Sequence, residues 1–365
     1  MSKLEGLLKE LCPGGVEYKQ LKVATSMQRG TSMTKAQSQE GPYPVISGGR
    51  EPAFYCDRFN RDGETITVAG SGAGAGFVQY WDRPIFVNDA FSIVGNGGVS
   101  TKYAFYCLAN MQEQIYATKK GGGVPHVHIS DVEDFRIPLP PLPVQREIVR
   151  ILDTFTAMNA NLEEELAARK MQYIAYRNVQ LQKVAKVSEI CLLKDVCSFA
   201  VGGDVPKERL SKVRTDEFNV PIYSNGSFEK DLYGYTDIPK ITAPCVTLSA
   251  RGTIGYCALR RTPFVPIVRL ICVFPSTRVE IRYLFHYLES LEYPVPLSGI
   301  PQLTVPMLKN YTIPLPSHRE QMGVADILDK IQSSVEGPTS IQSELALRRK
   351  QYEYYRDKLL AFKEA

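Results

Sequence analysis

From Val144 to Val184 the apolar residues Ile148, Leu152, Phe155, Met158, Leu162, Leu166 and Tyr173 step mostly by three or four, with Glu163, Glu164, Glu165, Arg169 and Lys170 between them. That spacing puts one apolar stripe along an amphipathic helix. At ~1.5 Å per residue, a run of roughly 40 residues reaches ~60 Å, far beyond the usual globular helix. A stripe of that length needs a partner to cover it. The end of the chain offers one in Leu328, Ile331, Val335, Leu345, Tyr352, Leu359 and Phe362. Gly337-Pro338 interrupts this second stripe and predicts a kink or a restart, because proline removes a backbone donor and clashes with the preceding turn. Periodicity alone leaves open that each helix lies on its own neighbouring module as a core helix; the length favours an antiparallel pair.

The remaining segments, 20–143 and 190–317, are patterned differently. Short β-favouring runs such as Thr65-Ile66-Thr67-Val68 and Phe264-Val265-Pro266-Ile267-Val268 are punctuated by Gly and Pro, which is strand and turn chemistry. Helical spacing returns briefly around Tyr103–Met111 and Ile281–Glu289.

The chain is written twice. Ile137-Pro138-Leu139-Pro140 returns 176 residues later as Ile313-Pro314-Leu315-Pro316, and Val124-Pro125, Gln145 and Ile151-Leu152-Asp153 return at the same offset as Ile300-Pro301, Gln321 and Ile327-Leu328-Asp329. Arg169-Lys170 resembles Arg349-Lys350. Gln172-Tyr173 and Tyr176-Arg177 recur as Gln351-Tyr352 and Tyr355-Arg356, 179 apart, so the second copy has gained about three residues. Upstream, Tyr43–Gly49 matches Val220–Gly226 loosely, as Ile66–Val78 matches Val246–Cys257. Two copies are too few for a solenoid, which needs three or more repeats to bury its faces. The expected architecture is α+β: two strand-rich domains in a pseudo-two-fold arrangement, joined by two long antiparallel, coiled-coil-like helices. The expected boundaries are 1–143 and 187–317 for the domains, and 144–186 and 318–365 for the helices.

Composition narrows the class. A chain of 365 residues holds two or more ordinary domains. With 44% hydrophobic and 22% charged residues and no apolar run near ~20 residues, it reads as a soluble protein without a membrane span. Its first residues mix charges into an amphipathic pattern instead of a signal peptide, so the expected location is the cytoplasm. The eight cysteines, at 12, 56, 107, 191, 197, 245, 257 and 272, form no Cys-x-x-Cys pair and read as buried structural thiols, not zinc ligands. A net charge of +4 permits a polyanionic partner without requiring one.

Several motifs need weighing. Gly70-Ser71-Gly72-Ala73-Gly74-Ala75-Gly76 lacks the Gly-Lys-Ser/Thr ending of a nucleotide loop and runs into the strand-like Phe77-Val78-Gln79-Tyr80-Trp81, so it reads as a tight turn. Its counterpart, Ala250-Arg251-Gly252-Thr253-Ile254-Gly255, keeps only two glycines, as a turn tolerates and a cofactor cradle does not. Lys119-Lys120-Gly121-Gly122-Gly123 is either a phosphate-tracking loop or a solvated hinge. His126 and His128 alternate as if on one strand face, but Gln302 and Thr304 replace them in the second copy, which suits base or phosphate contacts better than a metal. No Ser-His-Asp order, activated Cys or paired carboxylate is shared by both copies, and the Asn/Asp-Pro-Pro-Tyr/Phe signature of amino-methyltransferases is missing from the sequence. The expectation is a chain without catalysis of its own.

Arg348-Arg349-Lys350-Gln351-Tyr352-Glu353-Tyr354-Tyr355-Arg356-Asp357-Lys358-Leu359-Leu360-Ala361-Phe362 resembles the tail of type I restriction-modification specificity subunits. Leu166–Tyr173 and Ile137–Ile148 resemble that family's central region. The likeness covers the whole chain in organisation and the helical segments in sequence. It implies two target-recognition domains, each reading one half of a bipartite site in double-stranded DNA. It also implies two modification subunits docked on the chain, which carry S-adenosylmethionine and methylate adenine, and restriction subunits that cut unmethylated DNA. No cofactor is expected on this chain. A coiled-coil scaffold without DNA contact, and a nucleotide-binding enzyme using the Gly-rich loop, are the alternative classes.

Polar residues on module loops are the candidate DNA contacts: Arg29, Lys35, Arg50, Ser71, Lys119, Lys120 and His126 in the first module, and Lys207, Asn225, Arg251, Arg260, Arg261 and Gln302 in the second. The positions that repeat on the helices, Arg169, Lys170, Gln172, Tyr173, Arg349, Lys350, Tyr352 and Tyr355, are the candidate subunit-docking surface. For Tyr173 and Tyr352 packing of helix on helix is an equally good reading.

Overall fold

The computed structural model describes residues 3–121, 123–294, 301–337 and 339–365. The sequence repeat is a structural repeat, and the chain forms two compact units, Met1–Leu162 with Leu345–Ala365, and Glu163–Glu344.

In unit 1 a four-stranded antiparallel sheet has the order Thr25–Arg29, Ala90–Gly95, Thr65–Ala69, Val78–Trp81. Beside it, Tyr43–Ile46 pairs antiparallel with Phe54–Cys56 and parallel with Phe86–Val87. Tyr18–Gln20 pairs with Arg136–Pro138. Unit 2 repeats each sheet: Cys197–Val201, Ile271–Pro275, Cys245–Leu248, Cys257–Arg260; then Leu232–Thr236, Val220–Tyr223, Val265–Pro266; then Glu189–Leu192 with Thr312–Leu315.

The central strand Thr65–Ala69 is buried at every position. It alternates apolar residues on one face with threonines on the other, and the buried hydroxyl of Thr67 therefore needs a donor. Trp81 Nε1 supplies it at 2.9 Å. In unit 2 the same hydroxyl, on Thr247, is served by Arg260 Nε at 3.2 Å. Two chemically unlike donors thus solve one burial problem at equivalent sheet positions.

A helix caps each main sheet where helical spacing was expected, Thr101–Asn110 and Ile281–Ser290. Tyr103 and Tyr283, both fully buried, donate their hydroxyls to the carbonyls of Pro138 and Pro314 at 3.0 and 2.8 Å. Gln145 Nε2 donates to Gly98 O and Pro140 O while its Oε1 accepts from Ser100 N, at 2.9, 2.7 and 2.9 Å. Gln321 does the same with Arg278 O, Pro316 O and Glu280 N at 3.0, 3.0 and 2.8 Å. The repeated Ile-Pro-Leu-Pro and Gln are therefore the joint between module and helix: a short strand, its proline carbonyls, and a buried amide that stitches them to the capping helix.

The first tail is a single helix, Leu142–Ala185, of 44 residues. Ile148 and Leu152 pack into the core of unit 1, Leu181 and Val184 into that of unit 2. The second tail does not run as one long helix. It forms His318–Glu336, in unit 2, and Ile341–Leu360, of which all but the first four residues belong to unit 1. Gly337 N closes the first on Ser333 O at 3.1 Å, and a Cβ on Gly337 would meet that oxygen at 2.6 Å. The expected break falls here, although Pro338 itself, like Gly122 and Ile300, lies outside the described residues. Within unit 1 the last helix pairs antiparallel with the start of the long one, Phe155 stacking on Tyr355 at 5.4 Å.

All eight cysteines are free, and all but Cys12 are buried. Among the described residues no helix is long and apolar enough to cross a membrane.

Candidate nucleic-acid interface

In each module the hairpin turn that leaves the central strand is stitched to a distant segment by an equivalent backbone bond, Val127 N to Gly70 O in unit 1 and Leu303 N to Ala250 O in unit 2, at 3.0 and 2.9 Å. These bonds set Ser71 opposite His126 in a backbone bridge, and bring the side chains of Arg251 and Gln302 together. The Gly-rich segment is this turn. Gly72 and Gly76 take left-handed φ of +78° and +81°, and a Cβ on Gly74 would lie 2.3 Å from Gly48 O.

In unit 1 the turn borders a cleft lined by Arg29, Asn88, Asp89, His126 and His128. Ser71 Oγ donates to the Asp89 carboxylate. His126 exchanges backbone bonds with Lys120 and bridges to Ser71, so it sits in isolated bridges and not on the strand expected for it. The His126 and His128 rings stack with centroids 6.0 Å apart. His128 precedes the turn of helix Ile129–Val132, and its N–H donates to Asp131 at 2.9 Å. Lys120 pairs with Asp131. Burial of that carboxyl, which would raise its pKa, is outweighed by Lys120 and the His128 amide, and the carboxyl titrates below its ordinary value. Lys119 lies over the Tyr116 ring at 4.0 Å and the exposed Arg50 over Phe77 at 4.9 Å. Arg29 ends its strand exposed, and Lys35 is exposed in the 3₁₀ turn Lys35–Gln37.

Unit 2 distributes its candidates differently. Arg251 Nε and Nη2 both donate to Gln302 Oε1, at 3.1 and 2.6 Å. Arg260 turns inward: it pairs with Asp231, lies 3.6 Å from the Tyr223 ring centroid, and is 14% exposed. Asn225 is spent on the backbone, Nδ2 donating to Val268 O at 2.5 Å and Oδ1 accepting from Ala250 N at 2.7 Å. It braces a turn in which Val268 and Arg269 hold φ of 52° and 64°, a region costly for side chains with a Cβ. Lys207 and Arg261 are exposed.

On the helices, Arg169 and Gln172 are exposed and bonded to each other at 3.4 Å, Lys170 is half-buried, and Arg349 and Lys350 are exposed. Tyr173 is buried. Its hydroxyl donates to Glu289 at 2.7 Å and sits 2.9 Å from His286 Nδ1. Tyr352 packs half-buried against the core of unit 1. The repeat of these tyrosines thus reflects packing inside each unit. Tyr355 remains 37% exposed while it stacks on Phe155.

Residues that sequence reasoning did not single out include Asp89, Asn88 and Asp131, which a single sequence does not separate from other surface polar residues. It also gave no role to Asp153 and Asp329. Tyr106 donates to Asp153 and Lys102 pairs with it, at 2.6 and 2.9 Å, while His286 and Arg282 take the same places on Asp329, at 2.8 and 3.0 Å. The repeated Ile-Leu-Asp was the available signal.

Fold and site together define a doubled recognition protein: one module copied, its joint to the helices kept and its outward turn rewritten. The family described as the type I restriction modification DNA specificity domain matches residues 13–169 and 187–346, and the chain belongs to it. A type I specificity subunit of Mycoplasma pneumoniae is 29% identical over 93% of this chain and 96% of its own length. A second from the same organism is 32% identical over 82% and 94%. In structure, the type I restriction-modification S subunit from M. genitalium superposes with a TM-score of 0.67 and 18% identity over 95% of this chain and 96% of that one. The protein is a DNA sequence-specificity subunit of a type I restriction-modification system.

Proposed function

We propose that the chain reads a bipartite, asymmetric site, one module per half-site, and leaves methylation and cleavage to separate subunits. The observation that carries this reading is the turn at equivalent places in the two modules. Unit 1 presents a carboxylate, Asp89 bonded to Ser71, and unit 2 presents the guanidinium of Arg251 on Gln302. Modules of one topology with opposite charge at one turn select different bases.

Arg29, Lys35, Arg50, Lys119, Lys120, Lys207 and Arg261 serve phosphates, and Ser71, His126, Arg251 and Gln302 face base edges. The helical residues Arg169, Gln172, Arg349, Lys350 and Tyr355, with the half-buried Lys170, receive two modification subunits, which bring S-adenosylmethionine, and restriction subunits complete the complex. Selection of random duplexes by the full chain tests this. Two unlike short motifs at a fixed spacing are expected. A scaffold would select nothing, and a nucleotide-binding enzyme would bind nucleotide without DNA.

A further inference from the structure

The turn Ala250–Gly255 carries Arg251, whose guanidinium is oriented by a neutral partner. Arg209, Arg260, Arg278 and Arg282 are each neutralised by carboxylates, from Asp237, Asp231, Glu189, and Glu280 with Asp326 and Asp329. Among the described residues no carboxylate pairs with Arg251, so its charge is undiminished. Its guanidinium is nonetheless fixed, because Nε and Nη2 both donate to Gln302 Oε1. The next residue, Gly252, has a left-handed φ of +68° and open space where a Cβ would stand, which places the turn at the surface.

The chemistry of the pair is one-sided. Arginine has only donors, so the acceptor that faces it is the Gln302 carbonyl oxygen, and the glutamine is left with its Nε2 donors. Among the described residues no acceptor holds Gln302 Nε2 or Arg251 Nη1. The pair therefore offers N–H groups and no acceptor. In the major groove only guanine presents two adjacent acceptors, O6 and N7, and the free Nη end of a guanidinium matches them bidentately. Adenine and cytosine both present an amino donor, which a donor-only surface rejects. Holding the long side chain in place before DNA arrives removes part of the ordering cost that a free arginine would bear on binding.

From this geometry we infer that Arg251, braced by Gln302, reads a guanine in the half-site of unit 2. The inference rests on the DNA-reading role proposed above and adds the base, the residue and the reason. Arg251 contacts the base edge, and Gln302 is its positioning residue. Unit 1 cannot make this reading at the equivalent turn, where Ser71 and Asp89 put an acceptor instead.

Selection from a randomised duplex library, with the full chain and with Arg251→Ala, Arg251→Lys and Gln302→Ala, tests it. The wild type should show one invariant guanine in one half-site. Arg251→Ala should lose that preference and bind the preferred duplex about 10-fold or more weakly, with every other selected position unchanged. The unchanged positions serve as the control for folding. Arg251→Lys should recover affinity without the full preference, since a point charge lacks the fork. Gln302→Ala should keep guanine with weaker discrimination. If Arg251→Ala weakened all sequences alike and lowered the salt dependence by about one phosphate contact, Arg251 would be a backbone contact and the inference would be wrong. A wild type that selected no sequence would overturn the DNA-reading proposal as well; a wild type that selected two half-sites unaltered by Arg251→Ala would overturn this inference alone.

Discussion

Gln145 and Gln321, 176 residues apart in sequence, make the same three hydrogen bonds from buried side chains, each tying the start of a helix to the cap of its own module. Both side chains are at most 1% exposed. Replacing either with alanine removes the partner of a part-buried N–H and of two carbonyls, one of them buried, and should destabilise its unit by about 2 kcal/mol. Urea unfolding of Q145A and Q321A should show the loss in both proteins. A loss under about 0.5 kcal/mol would mean that the joint is held by the apolar contacts around it.

Arg260 and Arg251 occupy one module and predict opposite outcomes. Arg260 is stacked on Tyr223, paired with Asp231 and bonded to Thr247. Removing it leaves a nearly buried carboxylate unpaired, so Arg260→Ala should cost about 3 kcal/mol of stability and leave the selected sequence unchanged. A stable Arg260→Ala protein with altered base preference would contradict this assignment.

His286 is fully buried between Tyr173 and Asp329, with Glu289 and Arg177 nearby. Burial lowers its pKa, against the opposing pull of the Asp329 carboxylate. A base whose folded pKa lies below its unfolded value takes up a proton more readily when unfolded, so stability is full above about pH 6.5 and falls as pH drops through that value. Unit 1 has Tyr106 in this place. His286→Tyr should flatten the stability profile between pH 8 and 5.5, as measured by thermal melts; an identical profile would show that other groups set it.

Much of the fold was legible because the repeat is strict wherever the module meets the helices. Gln145, Pro138 and Asp153 recur as Gln321, Pro314 and Asp329 since each makes a bond that tolerates little else. The strand patterns were legible for the same reason, as Thr67 and Thr247 hold one burial slot. The site was less so. Arg260 looks on paper like Arg251, and only the fold shows that Asp231, distant in sequence, neutralises one and not the other. Tyr173 and Tyr352 repeat as a docking surface would, but also as two internal packing positions would, and burial decides between these. His126 looked like a strand residue because alternation cannot be told from two isolated bridges.

Docking of modification subunits should depend on the basic positions of the helices, the half-buried Lys170 and the exposed Lys350. Charge reversal at Lys170 and Lys350 together should reduce co-purification with the modification subunit at least several-fold while leaving the isolated chain's unfolding curve unchanged. An intact complex with both charges reversed would remove these residues from the interface.

The most direct test of the account is a genome-wide map of methylated adenine from cells carrying this chain with its modification subunit. The account predicts one motif made of two unlike half-sites, separated by a fixed number of unspecified bases, with methylated adenine in each half. A continuous or palindromic motif, or two identical half-sites, would contradict it.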